Sequence, residues 1–258
     1  MPSRVGSTHS TSGYGLLKLK NLAKKSHSRK QVSPTAETTR AVIWDMDGTL
    51  VDTAELHYRA WVKLAEEIHK PFSRADFEAT FGRRNPEIIH LLFGTDLSDL
   101  EVQEIGSKKE QYYRAEARQG VSLLKGARQL LEAFQRAGYK QGLGSSAPRE
   151  NLELILNLTD IRPFFDAIVS MEDTTQGKPD PQVFLLAASR LKTPPERCLV
   201  IEDALAGIQA AKAAGMHSIA VTFVGHHSLE GLMRAGADLV LSSLEEATMK
   251  AIGRLFQN

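Results

Sequence analysis

A single cysteine, Cys198, is all the thiol chemistry in this chain, so no intramolecular disulfide can form. It lies in the apolar run Cys198-Leu199-Val200-Ile201 and reads as a small core residue of a protein kept in a reducing compartment. No apolar run approaches the roughly 18–20 residues that a membrane-crossing helix needs. No secretory signal is expected, because no apolar core of suitable length follows the first basic residues. Acidic residues are nearly absent from residues 1–40, where eight Lys/Arg stand against Glu37 alone. The rest of the chain carries 24 Lys/Arg and 30 Asp/Glu, so a net charge of +1 conceals a segment of +7 and a body of −6.

Residues 1–38 are Ser-, Lys- and Arg-rich, and their one apolar feature is Leu16, Leu17, Leu19 and Leu22 set among lysines. They are expected to form a disordered extension. A transit peptide, or a short basic helix touching membrane or nucleic acid, is the alternative. The corresponding expectation for location is cytoplasmic, or organellar if the leader is a transit peptide. Nothing in the body argues for a nucleic-acid or membrane partner, and no spare apolar stripe argues against a monomer.

Hydrophobic residues at 42% are enough for a substantial core. The chain's organising stretch is Ala41–Asp52, AVIWDMDGTLVD. Four residues suited to a strand buried on both faces run into Asp45 and Asp47, then Gly48 and Thr49. Two carboxylates one residue apart at a strand end suggest divided labour. One attacks or binds a cation, and the other moves a proton.

Between 54 and 120 nothing resembles a sheet strand. Leu56, Ala60, Leu64 and Ile68 recur every four residues and predict a helix over Ala54–His69 that Pro71 stops. Helical patterns follow at Ala75–Phe81, Pro86–Phe93 and Leu97–Arg118. From Gly126 strand and helix alternate with short connections. Strands are expected at Tyr139–Leu143, Ala167–Val169, Cys198–Ile201, His217–Val221 and Asp238–Leu241. That pattern predicts a doubly wound α/β fold with a mostly parallel sheet over 39–53 and 122–258, carrying an inserted helical cap over 54–121. Right-handed crossovers bring the strand C-termini to one edge. That edge collects Asp45, Asp47, Thr49, Ser145, Ser146, Glu202 and Asp203, with Lys178 from a loop on the same side. Carboxylates, hydroxyls and one lysine suit a phosphoryl group and a hard cation such as Mg2+. Carboxylates alone would repel a phosphate dianion, so the cation and the lysine are what make attack by an aspartate feasible.

Over about Thr39 to Leu244 the chain resembles the haloacid dehalogenase superfamily of phosphotransferases, within its β-phosphoglucomutase-like subfamily. Four motifs carry the resemblance: Asp45-Met46-Asp47-Gly48-Thr49, Ser145, Lys178 in Gly-Lys-Pro-Asp-Pro, and Glu202-Asp203 in Ile-Glu-Asp-Ala-Leu-Ala-Gly. The resemblance implies a Rossmann-like core with a helical cap. It implies that Asp45 is a nucleophile forming an aspartyl-phosphate and that Asp47 is the general acid and base. Ser145 and Lys178 then hold the phosphoryl oxygens. Asp45, the Asp47 backbone carbonyl and Asp203 bind magnesium, with Glu202 bound directly or through water.

The cap sets the phosphoryl acceptor. Asp52–Trp61 is similar to the linker and first cap helix of the mutases, in which the residues matching Thr53 and His57 sit near the hinge and proton relay. Lys109 falls where the mutases place a cap lysine near substrate, although Lys108-Lys109-Glu110 read by itself is a solvated helix charge. The mutases' phosphate-gripping arginine corresponds to Asn85, with Arg83 and Arg84 just before it. Ser146–Asn151 differs from the mutase loop, and Ala204 replaces a serine. The expectation is therefore a Mg-dependent phosphohydrolase of a small phosphorylated metabolite, a sugar phosphate. β-Phosphoglucomutase activity is the alternative.

Overall fold

The computed structural model describes residues 39–257 apart from Val224 and His226. The expected basic extension, 1–38, lies outside the described residues.

Six strands, β1 (Ala41–Trp44), β2 (Lys140–Gly144), β3 (Ala167–Val169), β4 (Cys198–Glu202), β5 (His217–Val221) and β6 (Leu239–Leu241), form one parallel sheet in the order β3-β2-β1-β4-β5-β6. The expected doubly wound α/β architecture is what the chain adopts. Successive strands step one way from β1 through β2 to β3, then start again on the other side of β1 with β4. The crevice that opens at such a reversal is where open α/β sheets bind ligands. Trp44 is level with both Leu143 and Ile201, so the residues after β1 are flanked by the ends of β2 and β4.

Alternation along β1 shows how the layers form. Val42 and Trp44 enter one apolar layer with Leu131, Phe134 and Leu152 from α5 (Ala127–Arg136) and α6 (Arg149–Leu158). Ala41 and Ile43 enter the opposite layer with Phe184, Ala187, Ala210 and Ala211 from α7 (Gln182–Arg190) and α8 (Leu205–Ala213). All four β1 side chains are fully buried, as a central parallel strand requires. Trp44 also donates its indole N–H to Gln141 Oε1 at 3.1 Å, which satisfies its one polar atom.

Between β1 and β2 the chain builds α1 (Ala54–Glu67), α2 (Arg74–Thr80), α3 (Asn85–Phe93) and α4 (Asp99–Ala117). These helices share an apolar cluster of their own, centred on Trp61, Leu64, Phe77, Ile89 and Phe93. The start of α4 is later than the apolar pattern suggested. Ser98 and Glu101 close a capping box, with Ser98 N donating to Glu101 Oε2 at 2.8 Å. Two short helices, α9 (Leu229–Arg234) and α10 (Met249–Leu255), were not anticipated. Each spans too few turns to show a period, and each is instead started by a hydroxyl cap, from Ser228 and Thr248. Among the described residues no helix is long and apolar enough to cross a membrane.

Candidate active site

The turn after β1 folds back on itself. Gly48 N donates to Val51 O at 2.8 Å, and Gly48 sits at φ +86°, a conformation that side-chain-bearing residues rarely adopt. A Cβ at Gly48 would meet the Asp203 carboxylate, so the turn can approach β4 only because this residue has none. Gly207 plays the same part for the Glu202 carboxylate, against which a Cβ would collide. Two glycines thus let two carboxylates sit beside the end of β1.

Asp45 is buried, and Lys178 Nζ donates to its Oδ1 at 2.6 Å and to Glu202 Oε1 at 2.7 Å. The other oxygen of Glu202 accepts the backbone N–H groups of Asp203 and Ala204 at 2.7 and 2.6 Å. Thr49 donates its hydroxyl to Asp203 Oδ1 at 3.1 Å. Burial, opposed by Lys178 and reinforced by the charges of Glu202 and Asp47, pushes the Asp45 carboxyl up to about 7. Asp203 is raised well above the usual range by burial, then by Glu202 and Asp45. Burial works against the Lys178 ammonium but is outweighed by Asp45 and Glu202, so its proton is held more tightly than usual. Three buried carboxylates share one lysine, and the cluster is short of positive charge.

A hard dication fits that shortage. Both oxygens of Glu202 are engaged, and among the described residues no three His, Cys, Asp or Glu side chains stand at metal-binding geometry. Of these three carboxylates, Asp45 and Asp203 are left with an oxygen free of hydrogen bonds from the described residues. Magnesium needs only one or two carboxylates and completes its shell with phosphate and water. The donor set therefore suits magnesium, with Glu202 beside it held by Lys178 and by two backbone N–H groups.

Asp47 faces the cap. Its Oδ1 accepts the Thr53 hydroxyl at 2.5 Å, His57 Nε2 at 3.3 Å and the Tyr113 hydroxyl at 3.4 Å. Thr53 is the N-cap residue of α1, yet its side chain caps nothing and is given to Asp47 instead. Lys109 Nζ lies 2.7 Å from His57 Nδ1. An ammonium has donors only, so Nδ1 accepts, and Nε2 carries the proton that points at Asp47. The imidazole is stacked on Tyr113, with centroids 4.0 Å apart. Burial raises the Asp47 carboxyl but is outweighed by His57, the Thr53 hydroxyl and Lys109, which hold it below the usual range.

Ser145 is buried and accepts Ala147 N at 3.0 Å, which leaves its own O–H to donate, while Ser146 lines the cleft without a comparable bond. Lys109 is 2% exposed, so it is not a solvated helix charge. The two arginines part company. Arg83 lines the cleft and is half exposed, within 4.0 Å of Glu87. Arg84 instead reaches from the cap to the loop before Lys178. It donates to Thr174 O at 3.1 Å, to the Thr174 hydroxyl and to Gln176 O at 2.7 Å. Asn85 points to Glu110 Oε1 at 2.7 Å. Asp45, Asp47, Ser145, Ser146, Lys178, Glu202, Asp203, His57, Lys109 and Arg83 thus surround one cleft, with Thr49 behind Asp203 and Arg84 outside it. Tyr113, Glu110 and Asn151 were missed in the sequence. The only signal for Tyr113 was its i,i+4 spacing from Lys109, and Glu110, directly after Lys109, carried none.

The model of the haloacid dehalogenase-like hydrolase family matches residues 39–215. The chain belongs to that family and is an enzyme of its phosphatase and mutase branch. It is 37% identical over 220 residues to a β-phosphoglucomutase of Bacillus subtilis, covering 83% of this chain and 93% of that one. It is 34% identical over 202 residues to a phosphorylated carbohydrates phosphatase of Thermotoga maritima, covering 76% and 91%. The crystal structure of a β-phosphoglucomutase from Clostridium difficile superposes with a TM-score of 0.76 at 30% identity, covering 85% of this chain and 97% of that chain.

Proposed function

We propose that this chain is a magnesium-dependent phosphohydrolase of a small sugar phosphate that works through an aspartyl-phosphate. The observation that carries the reading is the pairing of a buried carboxylate held by lysine, Asp45, with a second carboxylate, Asp47, tied to an imidazole. An Asp45 oxygen attacks phosphorus, and the bond from phosphorus to the sugar oxygen breaks. Asp47 delivers the proton that this oxygen needs. Asp47 then takes a proton from water, whose oxygen attacks phosphorus and frees Asp45 with release of phosphate. The lowered Asp47 carboxyl is readily ionised, which is the form that can take a proton from water. Lys178 and the Ser145 hydroxyl bind phosphoryl oxygens, and Lys178 offsets charge as two anions approach. Magnesium, held by Asp45, Asp203 and the Asp47 carbonyl, would neutralise charge on the phosphoryl group.

β-Phosphoglucomutase activity is the second reading. The Asp47–His57–Lys109 line and the relatedness to mutases favour it. Against it stands the far end of the cleft. A mutase must hold a second phosphate while a bisphosphate turns round, yet Asn85 is bonded to Glu110 and Arg84 to Thr174 and Gln176. Among the described residues of that segment, Arg83 is the arginine that lines the cleft.

The test is a panel of sugar phosphates with magnesium, scored for released phosphate and, from β-glucose 1-phosphate, for glucose 6-phosphate. Phosphate release from sugar phosphates, abolished in Asp45→Asn, is the expected result. Rapid isomerisation with little free phosphate would select the mutase. Turnover that survives Asp45→Asn would overturn the nucleophile assignment and both readings with it.

A further inference from the structure

Glu110 is a charged side chain that the chemistry above does not use, yet it is 4% exposed. Both of its oxygens are occupied. Oε1 accepts Lys109 Nζ at 2.9 Å and Asn85 Nδ2 at 2.7 Å, both from the helical insertion. Oε2 accepts Asn151 Nδ2 at 2.5 Å, from α6 of the α/β core. Asn151 is itself 1% exposed, and its Oδ1 accepts Arg114 NH1 at 3.0 Å, returning the line to α4 one helical turn beyond Glu110. Arg114 also reaches Glu150 at 3.2 Å. Two residues of α4 one turn apart therefore grip the two ends of a single buried amide in the first turn of α6. Burial raises the Glu110 carboxyl, but Lys109, His57 and Asn85 outweigh it and keep it ionised more readily than usual.

A buried carboxylate with one partner fewer is left with a desolvated charge, which costs far more than an exposed contact. The Glu110–Asn151 bond therefore exists only while α4 lies on α6, and separation must either hydrate both groups or strand them. We propose that Glu110 and Asn151 are the latch that holds the helical insertion closed over the cleft. Glu110 is a positioning residue. With one oxygen it grips the core, and with the other it holds Lys109 beside His57 and fixes Asn85 at the cleft wall. The proposal rests on the reading that the closed arrangement is the one in which Asp47 works. The latch itself can be measured without substrate.

The amide and carboxylate can be exchanged. Asn151→Asp sets two carboxylates face to face with no donor between them and opens the latch. In Glu110→Gln/Asn151→Asp the glutamine N–H donates to the new carboxylate at 151, whose other oxygen still accepts Arg114. The glutamine carbonyl still faces Lys109 and Asn85. Amide hydrogen exchange in the full chain, followed by mass spectrometry, reads both sides of the seam (105–117 and 146–156), with 198–221 as the internal reference. The expected result is exchange faster by on the order of tenfold in both seam segments for Asn151→Asp, with the reference unchanged. The double variant should return to within about threefold of the parent chain. Unchanged seam exchange in Asn151→Asp would overturn the latch, and so would a double variant as fast as the single one. A reference segment that speeds up equally would also overturn it, because the pair would then be serving global stability. If the exchange results hold while no sugar phosphate is turned over, the latch stands and the functional reading falls.

Discussion

The Lys178 ammonium lies 2.6 Å from the Asp45 carboxylate, with the two side chains 4% and 9% exposed. A second carboxylate, Glu202, takes the same ammonium at 2.7 Å. Removing one partner of a buried ionic cluster leaves the rest uncompensated, which typically costs about 3–5 kcal/mol. Lys178→Met should therefore lower stability by about that amount in urea unfolding. It should also push Asp45 above its value of about 7, because the lysine is what restrains it. A protonated Asp45 is no nucleophile, so phosphate release at neutral pH should be lost as well. A variant of near-parental stability would mean that the cluster is relieved in some other way.

Asp45 and Asp203 are both raised by burial and by neighbouring carboxylates, so a cation that binds them stabilises the folded chain. Magnesium at about 100 times its dissociation constant should add about 2.7 kcal/mol of stability. The gain should appear as a rise in Tm that EDTA reverses. In Asp203→Asn one of the two available carboxylates is gone and the rise should shrink to a small fraction. An undiminished rise in that variant would place the ion elsewhere.

How much of this was legible in the sequence depends on how local each feature is. Asp45, Ser145 and Glu202-Asp203 each follow directly from a strand, so naming the strand located the residue. Lys178 could be placed because the alternation of strands and helices put its loop at the same edge. Lys109, Glu110, Asn85 and Asn151 are different. The Glu110–Asn151 contact spans 41 residues of sequence, and its burial exists only once one layer lies on the other. In the sequence Lys108-Lys109-Glu110 is three charges in a row on a helix. Arg83 and Arg84 are neighbours in sequence, and only the folded chain sets the first on the cleft and sends the second to Thr174 and Gln176. The residues also cannot show that the backbone of Asp203 and Ala204 takes one oxygen of Glu202.

Gly48→Ala should disturb the site more than a single methyl suggests. The left-handed conformation costs a side-chain-bearing residue about 1–2 kcal/mol, and the added Cβ lands on the Asp203 carboxylate. Asp203 must then move, which breaks its bond with Thr49 and spoils its place beside Asp45. The expected outcome is a stability loss of about 2 kcal/mol by denaturant titration, together with a weakened magnesium-induced rise in Tm. Gly138→Ala, also at positive φ but with open space around its Cβ, is the control for backbone strain. It should lose stability and keep its full response to magnesium.

Asp173 offers a pH test away from the cleft. Arg190 first, then the Ser170 backbone and hydroxyl and the Arg149 charge, overcome partial burial and hold its carboxyl well below the usual carboxylate range. The carboxylate joins α6 to α7, accepting Arg149 NH2 at 2.5 Å and Arg190 NH2 at 2.7 Å while it caps the turn at Ser170. A carboxyl depressed on folding contributes stability that is fully present above its unfolded pKa, about 3.9, and is lost as pH falls through the folded value. Asp173→Asn should therefore lower stability by about 1–2 kcal/mol at pH 7, the scale of a lost cap with its ion pairs. The gap between parent and variant should stay constant from pH 7 down to about 5 and narrow only below about 4. Urea unfolding of both proteins across that range reads the gap directly. A gap that closes between pH 7 and 5 would assign the stabilisation to a group titrating near neutrality instead of to Asp173.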